Sequence, residues 1–475
     1  MRIKALVLAL AMGAGPVCAA DDVQMLMAEL KRLAARVEAL EKQNDALEKS
    51  LASERVNDAE PELATRLKAV ESQTLAMQKQ TRQIDALDGI SIGGSLVGVV
   101  QNVNKEGAAA GEREARANYR GDLTVSLPGG KMGDSEGKIF THLRFGQGNG
   151  VASRQTYSST PNSTAFQVGN SGDDSFAILA KAWYQLNIPL FNDGIKADAH
   201  DRLQLTAGKI DPFAFFDQNV AADDESTKFL NNVFVHNPLL DSGGDIGADR
   251  YGFAPGAIVA YTNEHEKGAE WGLSVGVFGT AGNRVDNGAN FNGGLGQPFV
   301  IAQAQTAARF NYLPGNYRVY VWHNGRGVGY DNVERNHSGI GFSADQRVTE
   351  ELTLFGRYGQ QLQGQARLDR ALTMGAELIG NAWGRGADSL GFAVGALRTS
   401  NKFRNDSATL DADKDGVPDY GYRASGSESL FELYYRYQVN KHIELSHDLQ
   451  WVNRPAGESG ASALKFAGVR AKVGF

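Results

Sequence analysis

The carboxylates of one short segment are spaced to bind a cation. Asp411, Asp413 and Asp415 alternate along the chain, Gly416 follows the third, and Asp419 lies a few residues further on. Ca²⁺ takes oxygen ligands, and a glycine lets the chain wrap around the ion. The bidentate Glu that closes a full EF-hand loop is missing, so we expect only the weak affinity of extracellular calcium modules. The alternative is an acidic, solvated loop.

A second set of polar side chains recurs at every other position of otherwise apolar segments. Between 300 and 312, Gln303, Gln305 and Arg309 have one parity and the apolar side chains mostly the other. Aromatic rings beside arginines and acids suit sugars, whose C–H faces stack on rings while their hydroxyls need donors and acceptors. By this parity we predict that a wet interior is lined by Arg144, Lys181, Trp183, Arg309, Arg318, Trp322, Arg357, Arg436, Asp448, Gln450 and Arg470. The alternative for each residue is that it only keeps the barrel wall hydrated and has no role in binding solute.

The sequence gives little indication of a catalytic site. Residues 272–276 match the nucleophile-elbow pattern, but they lie within an alternating strand and not at a strand-to-helix turn. The eight histidines are scattered without an HExxH pair, and no phosphate-binding GxxxxGK is present. We therefore expect no enzyme activity and no required cofactor.

The elements that position these residues are short alternating strands. From Gly89 to Phe475 we predict about sixteen, the last with Val469, Ala471 and Val473 on one face and Arg470 on the other. Connections after even strands are mostly short and those after odd strands mostly long, as in bacterial outer-membrane barrels with periplasmic turns and outer loops. The sequence therefore predicts an all-β transmembrane barrel of antiparallel strands over 89–475, embedded in outer-membrane lipid.

The N-terminus predicts export. Arg2 and Lys4 precede an apolar run and a small-residue exit at Ala19 and Ala20, which together indicate a signal peptide over 1–20. Cleavage removes Cys18, the single cysteine, and changes the formal charge from -7 to -9, because Arg2 and Lys4 are lost. This acidic balance argues against nucleic acid as a partner.

Residues 21–88 predict an α-helical coiled coil in the periplasm. Leu26, Leu33, Leu40 and Leu47 recur every seven residues, and Asn44 occupies an a position, where a polar residue fixes register. We expect this segment to hold a homo-oligomer together, most simply a homotrimer. A single amphipathic helix folded on the barrel rim is the alternative.

Several segments resemble the carbohydrate-selective porin family, often called OprB-type. They are residues 208–217, 229–232, 341–346, 354–358, 383–385, 388–391, 432–437 and 448–450, and the similarity covers roughly 90 to 475. The resemblance implies passive sugar diffusion through a sixteen-stranded barrel of a Gram-negative outer membrane, narrowed by an inward loop.

The longest predicted connection, 212–252, follows strand five, the position at which porins carry such a loop. We predict that its acids Asp217, Asp223, Asp224 and Glu225 form a constriction opposite the wall arginines. A plain outer loop is the alternative. For the whole chain we predict a porin for carbohydrates and other small polar solutes. Two alternatives stay open, an anion or phosphate channel and a structural tether between the outer membrane and the cell wall.

Overall fold

The computed structural model describes Ala35, Ala39 and Lys42 and residues 89–167, 176–190, 200–243, 251–280 and 295–475. The chain divides into two compact units, Met1–Ser91 and Ile92–Phe475. Within the predicted coiled coil the three described residues are helical. The predicted signal peptide and the rest of the coiled coil lie outside the described residues.

Sixteen antiparallel strands close into one barrel, with β1 hydrogen-bonded to β16. The sixteen-stranded barrel predicted from the sequence is confirmed. Among the described residues, no helix combines the length and apolar character needed to cross a membrane. The strands are β1 Ser91–Val103, β2 Glu114–Met132, β3 Ser135–Gln147, β4 Phe176–Leu190, β5 Asp201–Ile210, β6 Ala254–Asn263, β7 Trp271–Phe278, β8 Phe299–Phe310, β9 Leu313–Val328, β10 Glu334–Arg347, β11 Leu352–Gln363, β12 Leu368–Gly380, β13 Arg385–Thr399, β14 Ser427–Asn440, β15 Ile443–Asn453 and β16 Leu464–Gly474.

Apolar side chains cover the outside of the barrel, and charged ones point inward. On β15, Leu449 is 51% exposed, whereas its neighbours Asp448 and Gln450 are buried. On β16, Val469 is likewise exposed and Arg470 is buried. Successive side chains of a strand face opposite sides. The barrel is therefore apolar outside and polar inside, the opposite of a soluble barrel, as contact with lipid requires.

The two rims differ in the length of their connections. At one rim, which we call the short-turn rim, β8 and β9 are joined through Asn311 and Tyr312 alone, both with positive φ (49° and 65°). Such a two-residue turn matches the twist of the strands that it joins. At the opposite, long-loop rim, the longest connection runs from 211 to 253 and carries the short helices Asn232–Val235 and Pro238–Gly243. The asymmetry is the one that the strand pattern predicts.

Glycines opposite buried aromatic rings let neighbouring strands approach. Gly391 pairs with Tyr434, and a Cβ on Gly391 would lie 2.0 Å from the Tyr434 ring. Tyr434 is buried, is packed edge to face against Phe229 and donates a hydrogen bond to Glu377. The ring is therefore held on several sides and has no room to move aside.

We expect Gly391→Ala to destabilise the barrel by about 1–3 kcal/mol, because an overpacked site must shift ring or backbone. Gly356→Ala is the matched control on the outward face, where the nearest atom to an added Cβ is 3.7 Å away. The measurement is the free energy of unfolding in urea of the lipid-reconstituted barrel. Equal stabilities for the two variants would contradict this account of the glycine.

Candidate functional site: the lumen and its inserted loop

The described part of the connection 211–253, residues 211–243 and 251–253, folds into the barrel, and we call it the inserted loop. Its local structure follows from its caps: the Asp211 side chain accepts from Phe213 N at 3.1 Å before the 3-10 turn Pro212–Ala214, and Asn231 accepts from Val233 N at 3.2 Å before the next helix. Proline suits the first position of such a turn because it has no N–H to satisfy. The loop then contacts the inner wall at several places, three of which bury a charged wall side chain.

The first anchor joins Asp217 of the inserted loop to Arg357 of β11. The carboxylate lies 3.1 Å from Arg357 Nε, and both side chains are buried. Arg357 also donates to the carbonyls of Asp217 and Phe234. Asp217 accepts from Tyr320 Oη at 3.0 Å and from Asn237 N at 2.6 Å. A buried charge needs such partners, so these contacts fix the loop to the wall.

The second anchor is Glu432 of β14. Its carboxylate accepts the backbone N–H groups of Leu230 and Asn231, the latter at 3.0 Å. Asn231 Nδ2 donates to Gln450 Oε1 at 3.0 Å, and Gln450 donates to Asp448 at 2.8 Å. Asp448 and Gln450 therefore lie inside the barrel against the loop, and both are buried.

The third anchor is on β16. Arg470 donates to the carbonyls of Glu225 at 2.9 Å and Lys228 at 2.7 Å, and Lys472 donates to Ser226 Oγ at 2.8 Å. Like Arg357, Arg470 is only 2% exposed. Both arginines point inward as their parity predicts, yet the inserted loop covers them.

A cluster of charges lies where the inserted loop approaches strands β2 and β3. Asp122 is 2.9 Å from Arg120 Nε, 2.7 Å from Arg144 Nε and 2.7 Å from His142 Nε2. Glu225 of the loop completes the cluster, 2.6 Å from Arg120. Arg144 is still partly exposed. The cluster offers water or a polar solute both donors and acceptors.

Other inward cations also lie beside carboxylates. Lys181 is 3.3 Å from Asp211, Arg318 is 3.2 Å from Asp345, and Lys228 is 3.2 Å from Glu377. Arg436 interacts electrostatically with Glu377 and Glu444. Arg309, by contrast, is exposed at the short-turn rim, where Gly268 packs against it and Glu270 is its neighbouring acid.

The two remaining acids of the predicted constriction face the lumen. Asp223 is exposed, and Asp224 is partly exposed, 4.0 Å from Lys472. Burial alone would raise the pKa of Asp224, but Lys472 and hydrogen bonds from Ser226 and Thr227 hold that pKa well below its usual range. Asp224 therefore stays ionised at neutral pH.

The inward aromatic residues fall into two groups. Trp322 is 3% exposed and stacks on Phe299 at a centroid distance of 6.2 Å. Trp183 is partly exposed, lies 4.8 Å from the parallel ring of Phe140 and receives the edge of Phe215 at 5.9 Å. Of the two tryptophans predicted for the lumen, only Trp183 presents its ring to solvent.

The described part of the connection between β3 and β4, residues 148–167, also folds inward, which the sequence analysis missed. Arg367 donates to the Tyr157 carbonyl at 2.7 Å, and Gln450 donates to the Pro161 carbonyl at 2.7 Å. Ser163 N donates to the carbonyl of Leu230 in the inserted loop at 2.9 Å. The two loops therefore support each other. The missed signal is the inward parity of charged residues on β2 and β14, which need partners that the wall does not supply.

The Asp-rich turn lies between β13 and β14. Carboxylate oxygens of Asp411, Asp413 and Asp415 lie within 4.8 Å of one another, and Gly416 has a φ of 89°. The same oxygens accept backbone N–H groups within the turn, and Asp419 accepts from Ala412 N at 2.8 Å. Such bonds order the turn without any ion, so calcium binding stays a prediction of the sequence.

Comparison with known proteins agrees with this geometry. Among solved structures the chain resembles OprB of Pseudomonas putida, in a high-pH structure, with a TM-score of 0.64 and 17% identity over 84% of this chain and 97% of that one. A mutant of Rh. blastica porin is matched with a TM-score of 0.44 and 10% identity, over 81% of this chain and 100% of that one. No curated protein sequence matches. Residues 62–475 match the profile of the carbohydrate-selective porin, OprB family, and since this is most of the chain, the protein belongs to that family.

Proposed function

We propose that this outer-membrane carbohydrate porin passes neutral, polar sugars by facilitated diffusion and with little preference for either sign of ion. The single observation that carries the proposal is the pairing of inward cations with carboxylates. Arg120, Arg144, Lys181, Arg318 and Arg357 each lie within 4.0 Å of an Asp or Glu oxygen. A lumen of paired charges has local dipoles but little net field.

Paired charges suit hydroxyls better than ions. An ion that enters a narrow lumen loses hydration, and only an unpaired opposite charge restores much of that energy. A sugar hydroxyl is both donor and acceptor, so it can bond to either member of a pair. Such contacts are weak and local, which lets a solute enter and leave. An anion channel would instead need cations without acidic partners along its constriction.

The solute path that we propose runs beside strands β3 and β4. Partly exposed charges lie there: Arg144 and Lys181 keep 17% of their side-chain surface and Asp211 keeps 26%. Along β11 and β16 the equivalent arginines are covered by the inserted loop. The loop therefore fills one side of a wide barrel and leaves the other side to water.

The test is single-channel conductance in a planar bilayer, with reversal potential in a salt gradient and with sugars titrated in. We expect current that sugars reduce and a reversal potential near zero. Strong anion selectivity without any sugar effect would move the function to an anion channel. A barrel without conductance would support the structural tether.

Glu225→Gln should make the channel more anion-selective, because it leaves Arg120 with one acid fewer while the shape of the side chain is kept. Glu136→Gln is the matched control: this acid pairs with Lys131 on an exposed turn, where salt screens charges. The measurement is the reversal potential of each variant. A shift of equal size in both variants would show that lumen pairing does not set selectivity.

Asp217→Asn should loosen the inserted loop and raise unit conductance. Breaking one partner of a buried ion pair costs about 3–5 kcal/mol, since the remaining charge is left uncompensated. Asp223→Asn is the control in the same loop, because Asp223 is exposed. Unit conductance measured in bilayers should rise only in the first variant. Unchanged conductance in a folded Asp217→Asn barrel would show that the other two anchors suffice.

We also propose that residues 21–88 form a periplasmic coiled coil that joins several barrels, as a homotrimer. The support is the heptad spacing of its leucines. Deleting 21–88 should convert the oligomer to monomers that still conduct, as measured by light scattering of the detergent-solubilised protein. An oligomer of unchanged mass would mean that the barrels associate through their own surfaces.

A further inference from the structure

Three aromatic rings form one partly exposed surface inside the lumen, which we call the aromatic shelf. Phe140 of β3 pairs directly with Trp183 of β4, and their rings lie parallel, 4.8 Å apart with an interplanar angle of 21°. Phe215, from the first turn of the inserted loop, sets its edge on Trp183 at 5.9 Å. The shelf thus joins two wall strands to the loop that narrows the lumen.

The backbone beside the shelf holds it in place. Trp183 pairs with Gly208 of β5, whose φ is 146°, and a Cβ on Gly208 would lie 2.9 Å from Trp183 Cβ. Only a glycine fits there. The β5 backbone therefore packs closely against the backbone of Trp183, and the Trp183 ring contacts the loop at Phe215.

Solvent reaches the shelf, unlike several inward aromatic residues of the wall. Phe140, Trp183 and Phe215 are all partly exposed. Tyr320, Trp322 and Phe355 are each no more than 5% exposed, packed among the wall and the inserted loop. Burying these three rings serves packing, whereas the shelf packs only in part and leaves apolar surface in water.

Polar groups flank the shelf along both directions of the pore axis. Toward the short-turn rim lie Lys138, whose Nζ is 5.9 Å from the Trp183 ring, and Gln185, which donates to Thr206 at 3.0 Å. Toward the long-loop rim lies the pair of Lys181 and Asp211. Inward residues recur every second position, so Lys181 and Gln185 each begin about 7 Å along β4 from Trp183.

We propose that the aromatic shelf is a stacking subsite for a cyclic sugar, at which Trp183 contacts the C–H face of the ring while the flanking polar groups bond its hydroxyls. A pyranose has this combination, an apolar face and a rim of hydroxyls that donate and accept. The inference rests on the proposed function and names where in the lumen that function recognises its solute.

The test measures how D-glucose reduces the single-channel current of four proteins: wild type, Trp183→Ala, Trp183→Phe and Trp271→Leu. We expect the half-blocking concentration to rise about three- to tenfold in Trp183→Ala, the effect of losing one aromatic contact. Trp183→Phe keeps a ring and should stay near the wild type. Trp271 lies on the outward face, so its variant should match the wild type.

Unit conductance in sugar-free salt, together with heat-modifiable migration in gels, shows that each variant is folded and open. Because Trp183→Ala removes packing against Phe215, Phe140→Leu provides a second variant that shortens the shelf and leaves the loop contact in place. A folded Trp183→Ala and Phe140→Leu with wild-type glucose block would overturn the shelf while sugar transport stands. If the wild type passes glucose without any block, the subsite is also refuted. If glucose neither blocks nor permeates, the proposed function itself fails.

Discussion

Charge burial inside the barrel is the constraint on which the rest of the structure depends. A sixteen-stranded barrel is too wide for side chains to fill, so water or loops must occupy it. Wherever a loop displaces water from the wall, each wall charge beneath it needs a new partner. Asp217 and two backbone carbonyls supply that partner to Arg357, and carbonyls of Glu225 and Lys228 supply it to Arg470. The contacts that satisfy the wall charges are therefore the same contacts that fix the position of the loop.

The same contacts determine which part of the lumen stays open to water. Buried charged side chains of β11, β14 and β16 hold the inserted loop against one side, and the loop between β3 and β4 supports it from the long-loop rim. The opposite wall, with Arg144, Lys181 and Trp183, keeps its contact with solvent. A loop held by three separate anchors cannot swing as a lid without exposing buried charge and breaking several hydrogen bonds together. The geometry therefore favours a passage of fixed width.

Much of the fold could be predicted from the sequence, because a lipid-facing strand must alternate. That rule predicts about sixteen strands and the inward parity of residues such as Arg357, Trp322 and Arg470, and the structure has both. It could not separate open from covered inward positions. Trp183 and Trp322 have the same parity, but one faces solvent and the other is packed behind β8 and the inserted loop. That difference depends on which wall residues the inserted loop covers, for which a strand pattern has no signal.

Paired charges and an open aromatic surface act together in a selective but passive channel. Passage is slow if a solute binds tightly, and unselective if it does not bind. Charges that already satisfy each other bond a hydroxyl without the energy of a bare ion contact, as at Asp122 with Arg120 and Arg144. An aromatic face adds attraction that depends on the shape of the solute rather than on its charge. Each interaction is weak alone, so a sugar is preferred at the narrow part of the lumen and still released from it. The pairing of charges that anchors the loop thus also explains why the lumen can favour sugars and still release them.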